Sequence, residues 1–82
     1  MDLEIMGFLK DGKYRKLALK ELNSSPALPS ELANKLQINR ASISRILRDL
    51  KERNLIESVS SNTRTIVYKL TDKGKEIMES LK

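Results

Sequence analysis

At 82 residues the chain has room for one small domain, and a domain of that size buries only about 60% of its unfolded surface. Apolar residues at 39% suffice for one thin core, and the absence of cysteine and histidine removes disulfides, thiolate sites and a catalytic imidazole. No apolar run nears the roughly 18 residues of a membrane span, and Met1-Asp2-Leu3-Glu4 lacks the basic opening of a signal peptide. The reading is a cytoplasmic, non-membrane protein, not an enzyme, with no cofactor, metal or small-molecule site.

The first helix is expected from Leu3, Ile5, Met6, Phe8 and Leu9, ending near Asp11-Gly12. Gly7 weakens it, since an interior glycine costs about 1 kcal/mol relative to alanine. Tyr14, Leu17, Ala18 and Leu22 recur at helical spacing and predict a second helix over 13–22, with Asn23-Ser24-Ser25-Pro26 ending it. Pro29 suits the first position of a third helix, because its missing N–H would be unpaired there anyway. Glu31 then falls in the first turn, at the positive end of the dipole, and Leu32, Ala33 and Leu36 form the buried stripe.

Gln37-Ile38-Asn39 is the turn into a fourth helix, with Ile38 pointing inward and Asn39 accepting a backbone N–H as the cap. That helix is expected from Arg40 to about Arg53. Ile43, Ile46, Leu47 and Leu50 lie at i, i+3, i+4 and i+7 and pack inward, leaving Arg40, Ala41, Ser44, Arg45 and Arg48 opposite. Asn54 is placed as a left-handed stop. Residues 56–60 and 65–70 are rich in β-branched side chains and read as antiparallel strands joined by the polar tip Ser60-Ser61-Asn62-Thr63-Arg64. Thr71 caps a last helix that turns Ile77, Met78 and Leu81 inward.

The net charge of +5 is unevenly spread. Residues 1–36 carry six basic and five acidic side chains, hence +1, and residues 70–82 cancel at three and three. Residues 37–69 carry seven basic (Arg40, Arg45, Arg48, Lys51, Arg53, Arg64, Lys69) against three acidic (Asp49, Glu52, Glu57), hence +4. The excess sits on the fourth helix and the strand pair after it, which favours a polyanionic partner.

Two helices joined by a tight turn, with a basic face on the second, are the layout of a helix-turn-helix that enters a DNA groove. Set in the wider order of helices, hairpin and closing helix, the chain resembles the winged helix-turn-helix fold, and most nearly MarR-like and related small archaeal and bacterial transcription regulators. The resemblance covers residues 13–81 and rests on KYRKLALKEL, LPSELANKLQINRASISRILRDLKERNLIE and TRTIVYKLTDKGKEI. It implies a mainly α fold with a small β-hairpin, organised as a single domain over 1–82: an N-terminal helix in 1–11, the helix-turn-helix in 29–53, the wing in 56–70 and the last helix in 72–81. Gln37 departs from the pattern, standing where the motif often has glycine, and the wing keeps only Arg64 of the family's acidic-plus-basic signature.

For DNA, Arg45 and Arg48 are the leading candidates, because a guanidinium fork can bond O6 and N7 of guanine together. Arg40 could reach bases or phosphate, and Ser42 and Ser44 offer small hydroxyl donors, Ser42 toward phosphate beside the helix N-terminus. Ala41 is small enough to touch a thymine methyl. In the wing, Asn62, Thr63 and Arg64 could reach a minor groove or flanking phosphates. The plain alternative for each arginine is a solvated face, and for Asn62 a turn residue. Lys51 and Arg53 could instead pair with Glu52, Glu57 or the last helical carbonyls. The expected function is sequence-specific double-stranded DNA binding as a homodimer on an inverted repeat, with residues 3–9 and 77–81 as the candidate dimer surfaces. A winged-helix protein-interaction module and a sequence-tolerant nucleic-acid binder are the alternatives.

Overall fold

The computed structural model describes residues 3–62 and 65–81, with side-chain surroundings given for all of these except residues 60–62 and 65. Five helices and one hairpin occur in the order α1 (Leu3–Lys10), α2 (Lys13–Ser24), α3 (Pro29–Leu36), α4 (Arg40–Glu52), β1 (Ile56–Asn62), β2 (Thr65–Leu70) and α5 (Asp72–Ser80). This is a winged helix-turn-helix. Its one core joins every helix to the base of the hairpin, with Leu9, Leu19, Leu32, Ile43, Leu50, Leu55 and Ile56 fully buried.

Helices α3 and α4 each close on a left-handed residue that is not glycine. Gln37 adopts φ 57° and ψ 44°, and the N–H groups of Gln37 and Ile38 return to the carbonyls of Asn34 and Ala33. Asn54 adopts φ 63°, and the N–H groups of Asn54 and Leu55 return to Lys51 and Leu50. Each pair forms the closing motif that satisfies the last carbonyls of a helix. Between them Asn39 caps α4 by accepting the Ser42 N–H at 2.7 Å. At the start of α3, Glu31 accepts the Leu28 N–H at 2.8 Å, which uses a donor the helix leaves unpaired.

Thr71 locks the last helix to the exit of α4. Its hydroxyl donates to the Asn54 carbonyl and accepts from the Gly74 N–H at 3.0 Å, while its own N–H donates to the Leu55 carbonyl at 3.1 Å. Gly74 lies directly against that Leu55 carbonyl oxygen, leaving no room for a Cβ.

Two expectations need correction, and one contact was not expected. The second helix runs on through Ser24, and its buried residues are Ala18, Leu19 and Leu22, whereas Tyr14 stands 39% exposed. Asn23 and Ser24 are polar but not helix-breaking, so the helix ends only as the chain turns extended ahead of Pro26. The hairpin tip is also shorter than expected. Pairing continues to Asn62 opposite Thr65, with an irregularity between Ser60 and Asn62 that absorbs the extra residue. Finally, the loop before α3 joins the sheet: Ala27 exchanges both backbone hydrogen bonds with Tyr68, at 3.0 and 2.9 Å. The hairpin is thereby pinned to the helix-turn-helix rather than hanging from it.

Candidate nucleic-acid interface

Helix α4 divides its residues by face. Ile43, Leu47 and Leu50 are buried, Ile46 is half-buried against the core, and Arg40, Ala41, Ser44, Arg45 and Arg48 are all exposed. Ser42, in the first turn, is half-buried with its N–H held by Asn39. Among the described residues Arg40, Arg45 and Arg48 form no ion pair within the domain. The acid next to Arg48 in the chain, Asp49, points elsewhere, its Oδ2 lying 4.0 Å from the Arg15 guanidinium on α2. The exposed stripe therefore carries positive charge that no ion pair among the described residues neutralises.

The end of α4 is anchored in a way the sequence did not reveal. Phe8 is held between two guanidinium groups, Arg15 at 4.0 Å and Arg53 at 3.7 Å from the ring centroid. Arg15 also donates to the Phe8 carbonyl at 2.7 Å, and Arg53 to the Asp49 carbonyl at 3.3 Å. Of the partners considered for Arg53, the last helical carbonyls are the ones used. Lys51 bonds the Ser58 hydroxyl of β1 at 3.3 Å instead of Glu52 or Glu57, and Glu57 pairs across the sheet with Lys69 at 3.4 Å. Arg53 and Lys51 thus fasten the last turn of α4 to α1 and to the hairpin respectively.

The hairpin projects beyond the end of α4. Among its described side chains Val59 and Ile66 are 41% and 49% exposed, on opposite faces of the sheet, apolar positions that sequence reading did not single out. Asn62 lies at the end of β1, with its side-chain surroundings outside the described set, and Thr63 and Arg64 lie outside the described residues. The residues that the structure brings together are therefore Arg40, Ala41, Ser44, Arg45 and Arg48, with Ser42 beside them.

The family described as HVO_A0261 N-terminal domain matches residues 3–82. No match was found among curated protein sequences. Solved structures share the fold. Lactococcus lactis ZitR in complex with DNA is 25% identical, with a TM-score of 0.74 over 80% of this chain and 47% of that protein. The adhesin competence repressor AdcR of Streptococcus pyogenes has a TM-score of 0.80 at 15% identity, over 95% of this chain and 63% of its own. MarR of E. coli, in its apo form, has a TM-score of 0.75 at 23% identity, over 80% and 51%. The chain thus spans less than two thirds of each of these proteins. They are MarR-like winged-helix regulators, and the architecture of this chain is theirs.

Proposed function

Because the chain belongs to the HVO_A0261 N-terminal domain family, and because its winged helix-turn-helix exposes an arginine stripe, we propose that it is a sequence-specific double-stranded DNA-binding transcription regulator. Residues 1–82 act as one winged domain, with α4 in the major groove and the hairpin over flanking DNA. The observation that carries this reading is that Arg40, Arg45 and Arg48 stand together, exposed and without ion-pair partners among the described residues, on a helix whose opposite face is packed into the core. The DNA complex of a like-folded regulator lends it support.

In this reading Arg45 and Arg48 bond guanine edges, each bidentate pair contributing about 1–3 kcal/mol of discrimination. Arg40 takes a base or the adjoining phosphate, Ser42 a phosphate beside the start of α4, Ser44 a hydroxyl contact, and Ala41 a thymine methyl. Asn62, Thr63 and Arg64 meet the minor groove or flanking phosphates. One such helix reads only a few base pairs, so the protein acts as a homodimer on an inverted repeat. Ile5, Phe8, Leu9, Ile77 and Met78 are consumed by the domain's own core. The surface left for a second copy is the outer edge of α1, where Leu3 is 84% exposed.

Selection from a randomised duplex pool tests the proposal. The expected product is an inverted repeat with half-sites about one helical turn, 10–10.5 base pairs, apart. Recovery of unenriched sequence, with binding retained, would replace sequence-specific regulation with general DNA coating.

A further inference from the structure

On the far side of α2 from α4 lies an open groove that the DNA-binding reading does not use. Ala18, Leu19 and Leu22 form the buried side of α2. Lys13, Lys16, Leu17 and Lys20 fall on its opposite side and line a concavity of about 490 Å³, closed below by Met78 and Leu81. The floor is therefore apolar and the rim is lysine. It continues past Leu81 into a second concavity of about 430 Å³ beside Met6, Leu9 and Lys10 of α1.

The rim has an electrostatic cost that no described ion pair relieves, Lys13 having only the face of Tyr14, with its Nζ 5.8 Å from the ring centroid. Lys13, Lys16 and Lys20 succeed one another at i, i+3 and i+7, so each repels its neighbour along the helix. Among the described residues no acid lines either concavity. The nearest acid on α2, Glu21, is committed to Lys35 of α3 at 3.3 Å. Among the described residues these three lysines form no ion pair.

We propose that this groove is the docking site for an acidic amphipathic helix of a partner protein, whose apolar stripe seats on Leu17 and Leu81, over the buried Met78, while its carboxylates meet Lys13, Lys16 and Lys20. The combination is that of helix-in-groove recognition, with apolar anchors at i, i+3, i+4 and i+7 giving the seat and flanking charge setting the choice of partner. A second copy of this chain fits poorly, because a symmetric contact here would set lysine rim against lysine rim. Duplex DNA held on α4 is separated from this face by the thickness of α2, and a phosphate backbone has no use for an apolar floor.

The test uses two labelled synthetic helical peptides with identical leucine stripes, one flanked by glutamates and one by lysines, titrated by fluorescence anisotropy against the full chain. The acidic peptide is expected to bind about tenfold or more tightly than the basic one. The triple variant Lys13→Glu, Lys16→Glu, Lys20→Glu is expected to invert that order while still preferring a selected duplex over a scrambled one, its overall duplex affinity falling with the net charge. Inversion between two peptides on one folded protein cannot come from misfolding. A glutamate peptide without leucines is expected to bind no better than the basic one. Equal binding of all peptides would overturn the proposal. So would a triple variant that no longer distinguishes the two duplexes, which would make the rim part of the DNA surface. Sedimentation of Leu17→Glu supplies a further check: a shift from dimer to monomer would give the groove to a second copy, and an unchanged state is expected.

Discussion

Replacing a glycine with alanine is expected to act in opposite directions at two helical positions of this chain. At Gly74 a Cβ would overlap the Leu55 carbonyl oxygen, and would also stand 3.2 Å from the carbonyl carbon and 3.4 Å from Leu70 Cδ2. None of these can give way freely. Leu55 is wholly buried, and its carbonyl already accepts the Thr71 N–H at 3.1 Å, so moving it strains the junction between α4 and α5. Forcing a methyl into such a contact costs up to about 3 kcal/mol, while the better helix propensity of alanine returns about 1 kcal/mol. The net loss is about 2 kcal/mol, or about 8–16 °C in Tm for a domain this size. Gly7 is exposed, and nothing lies within 4 Å of where its Cβ would be. There only the propensity gain applies, about 0.5–1 kcal/mol in favour of alanine. Urea and thermal melts monitored by helical circular dichroism measure both. A Gly74→Ala protein as stable as wild type would refute the close seating of α5 on Leu55.

The same geometry sets the outcome of three other perturbations. Gln37→Gly removes the cost of a left-handed side chain, about 1–2 kcal/mol, but frees the unfolded chain, so a net gain of about 0.5–1 kcal/mol is expected in urea denaturation. Asn39→Ala deletes the α4 cap and is expected to lose about 1 kcal/mol by the same assay. Arg53→Ala removes one face of the Phe8 sandwich and is expected to lose about 0.5–1 kcal/mol, with Arg53→Lys recovering part of it. A loss no larger than that of an ordinary surface change would mean that the stacked guanidinium contributes nothing.

Features set by local pattern were legible from the residues alone. The inward set on α4, the Asn39 cap, the left-handed Asn54 and the Thr71 cap each depend on a few neighbours in sequence. Those that were missed depend on distant partners. The Ala27–Tyr68 bridge links a loop to a strand across the whole helix-turn-helix, and no periodicity marks Ala27 as strand. The Arg15–Phe8–Arg53 stack needs three elements to converge, so Arg15 and Arg53 read as ordinary surface charge until the fold brings them to one ring. Leu19 was overlooked because Tyr14 and Leu17 fit a helical stripe equally well, and only packing against the surrounding helices and β2 chooses between those faces. At the interface, the exposure of Arg40, Arg45 and Arg48 was foreseen, whereas the diversion of Asp49 to Arg15 was not.

The central claim is that the arginine stripe of α4 reads DNA. Anisotropy titration of a selected duplex and a scrambled one, at two salt concentrations, with wild type and Arg45→Ala/Arg48→Ala, tests it most directly. Log affinity should fall with log salt at a slope of about −0.9 per phosphate neutralised. The account predicts that the double variant keeps its stability and weak, salt-sensitive binding but no longer distinguishes the two duplexes. Undiminished preference for the selected duplex in the double variant would contradict it.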